Sequence, residues 1–202
     1  MNFRTPSLRL LSAVPLICAF ISTPAIAAWQ VDNSKSEFHF VTTKAGKAGT
    51  TATEEVQSFK QVDGKVDDSG VIAVSVDLGS VDTGISIRDQ RLKEMLFNVA
   101  NNPKAVFSGK VDIEEIKKIP VGAMKDVDLN GTITLCGQSH PVVAKLRVVS
   151  LGQHKLLVET RAPFIVNAAD FGIQAGVDAL REVMGLNVLS SAAPVSFSIV
   201  LK

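Results

Sequence analysis

Apolar side chains recur at every second position along much of this chain, and that period limits its fold more than any other feature. Ile72, Val74, Val76 and Leu78 alternate with Ala73, Ser75 and Asp77. Leu129, Ile133 and Leu135 lie opposite Asn130, Thr132, Thr134 and Cys136, and Val195, Phe197, Ile199 and Leu201 lie opposite Ser196 and Ser198. Phe38 and Phe40 alternate with Glu37 and His39, while Ala105, Phe107, Gly109, Val111 and Ile113 share one face of a further run. Successive strand side chains point to opposite faces, so such runs read as half-buried antiparallel strands. A parallel sheet, covered on both faces, would show continuous apolar stretches instead.

Turn chemistry separates the runs. Asp63-Gly64 and Asp67-Asp68-Ser69-Gly70 supply residues tolerant of left-handed backbone, Gly137-Gln138-Ser139-His140-Pro141 joins two runs, and Gly152-Gln153-His154 joins the next two. Alternation continues through Asn130-Gly131, which predicts a bulged strand there and not a hairpin. The runs number roughly eight, the count at which a closed up-and-down barrel is just wide enough for one small ligand. A two-sheet sandwich fits the period almost as well.

Helical spacing interrupts the pattern twice. Leu92, Met95 and Leu96 form an apolar stripe between Ile87 and Phe97, with Ser86 as the expected cap, Asp89 at the positive end of the helix dipole, and Asn101-Asn102-Pro103 beyond. Val177, Leu180, Val183 and Met184 define the second helix, and Gly185 ends it.

Residues 1–27 read as a cleavable secretory leader. Arg4 and Arg9 precede the apolar stretch Leu10 to Ile21, and Ala25-Ile26-Ala27 has the small-x-small pattern of a cleavage site. The stretch contains Pro15 and falls short of the about 20 residues of a bilayer span, so no stable membrane insertion is expected after cleavage. Residues 28–202 then form one domain, which the leader sends to the periplasm. Without Arg4 and Arg9 the 21 basic residues fall to 19, against 20 acidic ones, a formal charge near −1. That balance offers no basic stripe for nucleic acid. Of the two cysteines only Cys136 follows the leader, so the domain has no internal disulfide. A lone thiol could join two chains as a dimer, but a small, partly buried core residue is the expected role.

The stretch SVDTGISIRDQRLKEMLF, with Pro103-Lys104-Ala105-Val106-Phe107 after it, resembles the signature of YceI-like domains. Further segments agree in order along the domain. Trp29-Gln30-Val31-Asp32 with Ser36, Phe38 and Phe40 resembles the opening strand, Asp63-Gly64-Lys65-Val66 the second hairpin, and Leu129 to Leu135 the central strand. Ala162-Pro163-Phe164, Ala169-Asp170-Phe171-Gly172 and Ala193 to Phe197 resemble the closing third. The resemblance implies a mainly β, antiparallel, lipocalin-like barrel with one or two short helices, in an exported protein that binds lipids or polyisoprenoids. Related sequences carry His where this chain has Lys35, Thr42-Thr43-Lys44, Gln57 and Cys136, so any ligand or metal role of those histidines is missing here.

Catalytic patterns are absent from the sequence: it has no Gly-x-Ser-x-Gly elbow, no His-Glu-x-x-His, no Cys-x-x-Cys and no phosphate-cradling loop. No cofactor and no metal site are expected. His39, Cys136 and His140 would approach a metal only if the first strand passed the turn carrying the other two, and His154 lies in another turn. Arg88 and Asp89 read as structural, Asp89 holding the helix start and Arg88 tying the helix to a strand-end carboxylate such as Asp82. With His39 they are the residues an enzyme of lipid or quinone metabolism would use. Binding is expected to rest on Phe38, Phe40, Phe59, Phe107 and Phe197, whose strand faces would line an interior slot for an apolar lipid or isoprenoid ligand. About fifteen enclosed carbons would contribute about 12 kcal/mol before the cost of ordering the chain. The alternative is a solid-core exported domain that acts through a protein-interaction surface.

Overall fold

The alternating runs form one antiparallel sheet in the computed structural model, which describes residues 27–46 and 51–202. The expected leader lies outside the described residues except for Ala27. Strands β1 (Ala27–Gln30) and β2 (Glu37–Ala45) are two parts of one run, interrupted by a 3-10 turn at Asn33–Lys35. β3 (Thr53–Phe59) and β4 (Val62–Asp67) are likewise parts of one run, broken at Lys60-Gln61, and so are β5 (Val71–Asp77) and β6 (Val81–Asp82), separated by a 3-10 turn at Leu78–Ser80. β7 (Lys104–Lys110), β8 (Met124–Leu135) and β9 (Gln138–Gly152) are unbroken. β10 (Lys155–Thr160) continues as β11 (Phe164–Asn167), and β12 (Val188–Leu189) precedes the last strand, β13 (Ala192–Leu201). The thirteen strands among the described residues exceed the roughly eight expected because interruptions divide four of the runs and β12 is an addition.

The sheet order is β1-β4-β5-β7-β8-β9-β10-β13-β2-β3-β6. Because β1 and β2 belong to one run, the path curls back toward its start. Gln30 and Lys202 exchange both backbone hydrogen bonds at 2.8 Å, and Asp32 N donates to Val200 O at 2.8 Å. The expected barrel-like curl is therefore present, and the two-sheet sandwich is not.

Three local expectations are corrected. Asp63-Gly64 lies inside β4, paired with Ser75 and Val74 of β5, and not in a connection between runs. Asn130-Gly131 continues the β8–β9 register without a bulge, pairing with Val143 and Val142. The β8–β9 turn is Cys136-Gly137, both in left-handed backbone (φ 48° and 79°), so His140 lies in β9 and not in a turn.

Helix α1 (Ser86–Arg91) runs into a π-turn at Leu92–Leu96, closed by Phe97 N donating to Leu92 O at 3.0 Å. Ser86 does not cap it. Asp89 instead accepts from Thr83 N at 2.9 Å and from the Thr83 hydroxyl at 2.5 Å, pinning the segment before the helix. Helix α2 (Ile113–Lys117) was not expected, since Ile113 fits the alternation of β7. The strand stops at Lys110 because Asp112 accepts from Glu114 N and Glu115 N, and Ile113 and Ile116 bury one helical face. Asp112→Ala is expected to cost about 1 kcal/mol in a urea unfolding series, the usual worth of such a cap. Helix α3 (Gln174–Val183) starts one turn before the expected helix. Its Gly176 backs onto the π-turn so closely that a Cβ would lie 2.7 Å from Met95 O. Among the described residues, no helix is long and apolar enough to cross a membrane.

Candidate functional site

The inward faces of the sheet and the two longer helical segments do not fill the space they enclose. A cavity of about 320 Å³ remains, with a wall that is almost wholly apolar. It is about twice the roughly 150 Å³ of an engineered apolar cavity that takes up benzene, and falls at the lower end of the range for small-molecule sites. Phe38, Phe40, Phe59, Phe107 and Phe197 all line it, as do Phe97 and Phe164, which the strand pattern did not single out. Phe59 is the hub of the aromatic wall, with ring centroids 5.2 Å from Phe40 and 6.0 Å from both Phe38 and Phe97. Trp29 closes another part of the wall, its indole N–H donating to His154 O at 2.8 Å.

One end of the cavity is polar, and the register of β2 and β3 explains why. Phe38 pairs with Phe59, Phe40 with Gln57, Thr42 with Glu55 and Lys44 with Thr53. Phe38, Phe40, Thr42 and Lys44 share the inward face of β2, and Phe59, Gln57 and Glu55 that of β3. Along both strands the face thus passes from aromatic to amide to charged. Glu55 binds Lys44 Nζ at 2.9 Å and Arg88 Nη1 at 2.6 Å. Arg88 also donates from Nη2 to Thr83 O at 2.6 Å, so α1 is tied across this end. The carboxylate held by Arg88 is therefore Glu55. The expected partner, Asp82, pairs with Lys60 instead. In the sequence Lys44 and Gln57 stand out only as positions where related sequences carry His, and Glu55 not at all, because the inward alternation is plainly apolar only as far as Phe40.

The Lys44 ammonium, hydrogen-bonded to Glu55, holds its carboxyl below the ordinary carboxylate value; Arg88 adds to this and burial opposes it. A depressed folded value stabilises the fold fully above the unfolded pKa, and the contribution is lost as pH falls through the folded one. The urea midpoints of the wild type and Glu55→Gln are therefore expected to differ at neutral pH and converge on acidification. A difference that persists undiminished at acid pH would contradict this.

The remaining candidates are apart from one another. His39 faces away from the cavity between Phe38 and Phe40, with Nε2 3.4 Å from Glu37. His140 packs edge-on against Phe171, at 5.2 Å between ring centroids. The Cys136 thiol is half-buried and lies 3.5 Å from Phe97 O, and burial pushes its pKa up. Among the described residues no three His, Cys, Asp or Glu side chains gather as a metal site would require.

The model of the YceI-like domain matches residues 29–201. A polyisoprenoid-binding domain from Saccharophagus degradans, implicated in plant cell wall breakdown, superposes with a TM-score of 0.82 at 29% identity, over 88% of this chain and 99% of that one. BcnA of Burkholderia cenocepacia shares the fold, with a TM-score of 0.60 at 18% identity over 84% of this chain and 98% of its own. None of the curated proteins matches the chain.

Proposed function

The chain belongs to the YceI-like domain family, and from that premise we propose that it is an exported, non-catalytic protein that carries or sequesters a long apolar molecule, a polyisoprenoid or quinone-like lipid, inside its curled sheet. The observation that carries this reading is the cavity of about 320 Å³ with its aromatic and aliphatic wall. Phe38, Phe40, Phe59, Phe107 and Phe197 would contact the chain of the ligand. The ligand class is supported by the Saccharophagus degradans domain, which matches over nearly its whole length. Each enclosed methylene contributes about 0.8 kcal/mol, so affinity can come from chain length without a charge pair. A carrier role is supported by the way the acidic residue of the wall is used: Glu55 is engaged by Lys44 and Arg88, in a role that holds the fold together.

The leader pattern over residues 1–27 supports export to the periplasm. The cavity favours this reading over a solid-core interaction domain. The test is gentle purification from the periplasmic fraction of the native host, followed by solvent extraction and mass spectrometry. A long-chain apolar species approaching one per protein is expected. Recovery of protein with no such molecule, or only from the cytoplasmic fraction, would overturn the corresponding part of the proposal.

A further inference from the structure

From the end of α2 the chain runs into β8 through Lys117-Lys118-Ile119-Pro120-Val121-Gly122-Ala123-Met124-Lys125. The tip of this segment is a β-turn closed by Ala123 N donating to Pro120 O at 2.9 Å, with Gly122 in left-handed backbone at φ 80°. Two further bonds fasten it to β9: Gly122 N donates to Ser150 O at 2.8 Å and Ser150 N to Ala123 O at 3.1 Å. The turn is thus fixed in place, yet it offers apolar side chains to solvent, Val121 being 75% exposed and Met124 60%. Val121 lies over Gly152, where a Cβ would meet its Cγ1 at 3.2 Å. Met124 pairs with Val149, which sets it diagonal to Leu151, itself 47% exposed. Val121, Met124 and Leu151 therefore form one patch of side chains that the fold leaves unused.

The rim of the patch is basic. Lys117, Lys118 and Lys125 bracket the turn in sequence with no acidic residue between them, and Lys155 pairs with Gly152 beside Val121. Glu114 takes Lys117, while Glu115 is shared by Lys118 at 2.9 Å and Lys125 at 2.8 Å, so the cations outnumber their partners. On the outward face of β8 and β9, Asp126 is likewise shared by Arg147 and Arg161. An exposed apolar tip ringed by surplus cations matches the boundary of an anionic bilayer, where acyl chains lie beneath phosphates. A second copy of the chain fits less well, because three side chains fall far short of the about 20–30 residues a side of a stable protein interface. We infer that this turn docks the protein reversibly on an anionic lipid surface, with Val121, Met124 and Leu151 entering the acyl boundary and the lysines meeting the phosphates. Docking there does not depend on what the cavity holds. For a lipid carrier it sets the α2 end of the molecule, where Ile116 closes the cavity, against the bilayer.

Co-sedimentation of the purified protein with vesicles tests this, using phosphatidylcholine alone and an equimolar mixture of it with phosphatidylglycerol. The mixed vesicles are expected to bind about tenfold or more tightly, and added salt to weaken that binding. Val121→Ser combined with Met124→Ser keeps the charge and removes the apolar tip. It is expected to weaken binding to the mixed vesicles about tenfold or more and, since both side chains are exposed, to leave the melting temperature unchanged. The indole of Val121→Trp should shift its emission to the blue on the mixed vesicles, and that of Val143→Trp, exposed elsewhere on β9, should not. Equal binding to the two kinds of vesicle, binding that survives the double substitution, or a double variant that turns a dimer into a monomer would each overturn docking on an anionic surface. Wild-type protein that yields lipid on extraction but binds no vesicles overturns the docking and leaves the carrier reading. Vesicle binding by protein that yields no lipid does the reverse.

Discussion

Ala144→Trp is expected to yield a folded protein that purifies without its apolar ligand. Ala144 lies on the inward face of β9 with Val142, Leu146 and Val148, opposite Leu129 of β8, and its methyl group borders the cavity. An indole at this position projects into space that is already empty, so it fills the hollow before it strains the wall. The same indole occupies room the ligand needs. Excluding even five methylenes removes about 4 kcal/mol, about a thousandfold in affinity. The control is Val143→Trp, one residue along β9 on the outward face, where the native side chain is 55% exposed. Solvent extracts of the two variants, weighed against protein concentration, decide the matter. Ala144→Trp should be stripped of lipid and Val143→Trp should match the wild type. Wild-type lipid content in Ala144→Trp, with a native melting transition, would mean that the ligand is held elsewhere.

That prediction uses a cavity that no sequence pattern could have announced. Period-two alternation identifies the strands and which side chains share a face, so Phe38, Phe40, Phe59, Phe107 and Phe197 were legible as inward-facing. It carries no information on how far apart opposing faces stand. Hollow or filled depends on summed side-chain volume against the sheet's curvature, and that curvature is set by pairings such as Gln30 with Lys202, far apart in sequence. The polar end of the site was legible in principle. The same period that puts Phe38 and Phe40 inside puts Thr42 and Lys44 there, and the same count along β3 leads from Phe59 to Gln57 and Glu55. An expectation of apolar interiors hid it. Helix α2 was hidden for a different reason: Val111 and Ile113 satisfy the strand period and the start of a helix equally well, and only the Asp112 cap decides between them.

Gly131 shows how a residue can signal one thing in sequence and do another in the fold. Asn130-Gly131 has the composition of a turn, yet β8 runs straight through it, opposite Gly109 of β7. The glycine is there because the Phe107 ring lies across it. A Cβ built on Gly131 would fall within the van der Waals envelope of that ring and only 2.6 Å from Ser108 O. The backbone of Gly131 is not in the left-handed region, so Gly131→Ala meets no conformational penalty. By conformational entropy alone the substitution should stabilise the protein by about 0.4–1 kcal/mol. Packing reverses the sign: overfilling this site is expected to cost about 1–3 kcal/mol, with the ring driven toward the cavity it lines. In a Phe107→Ala background the ring overlap disappears and only the approach to Ser108 O persists, so the same Gly131→Ala step should cost measurably less. Urea unfolding of the four proteins in this cycle gives the coupling directly, and contacting pairs of this kind show about 0.5–3 kcal/mol. A stabilised Gly131→Ala single variant, or a coupling of zero, would show that the ring does not rest on Gly131. The wall of the cavity at β7 and β8 would then have to be drawn differently.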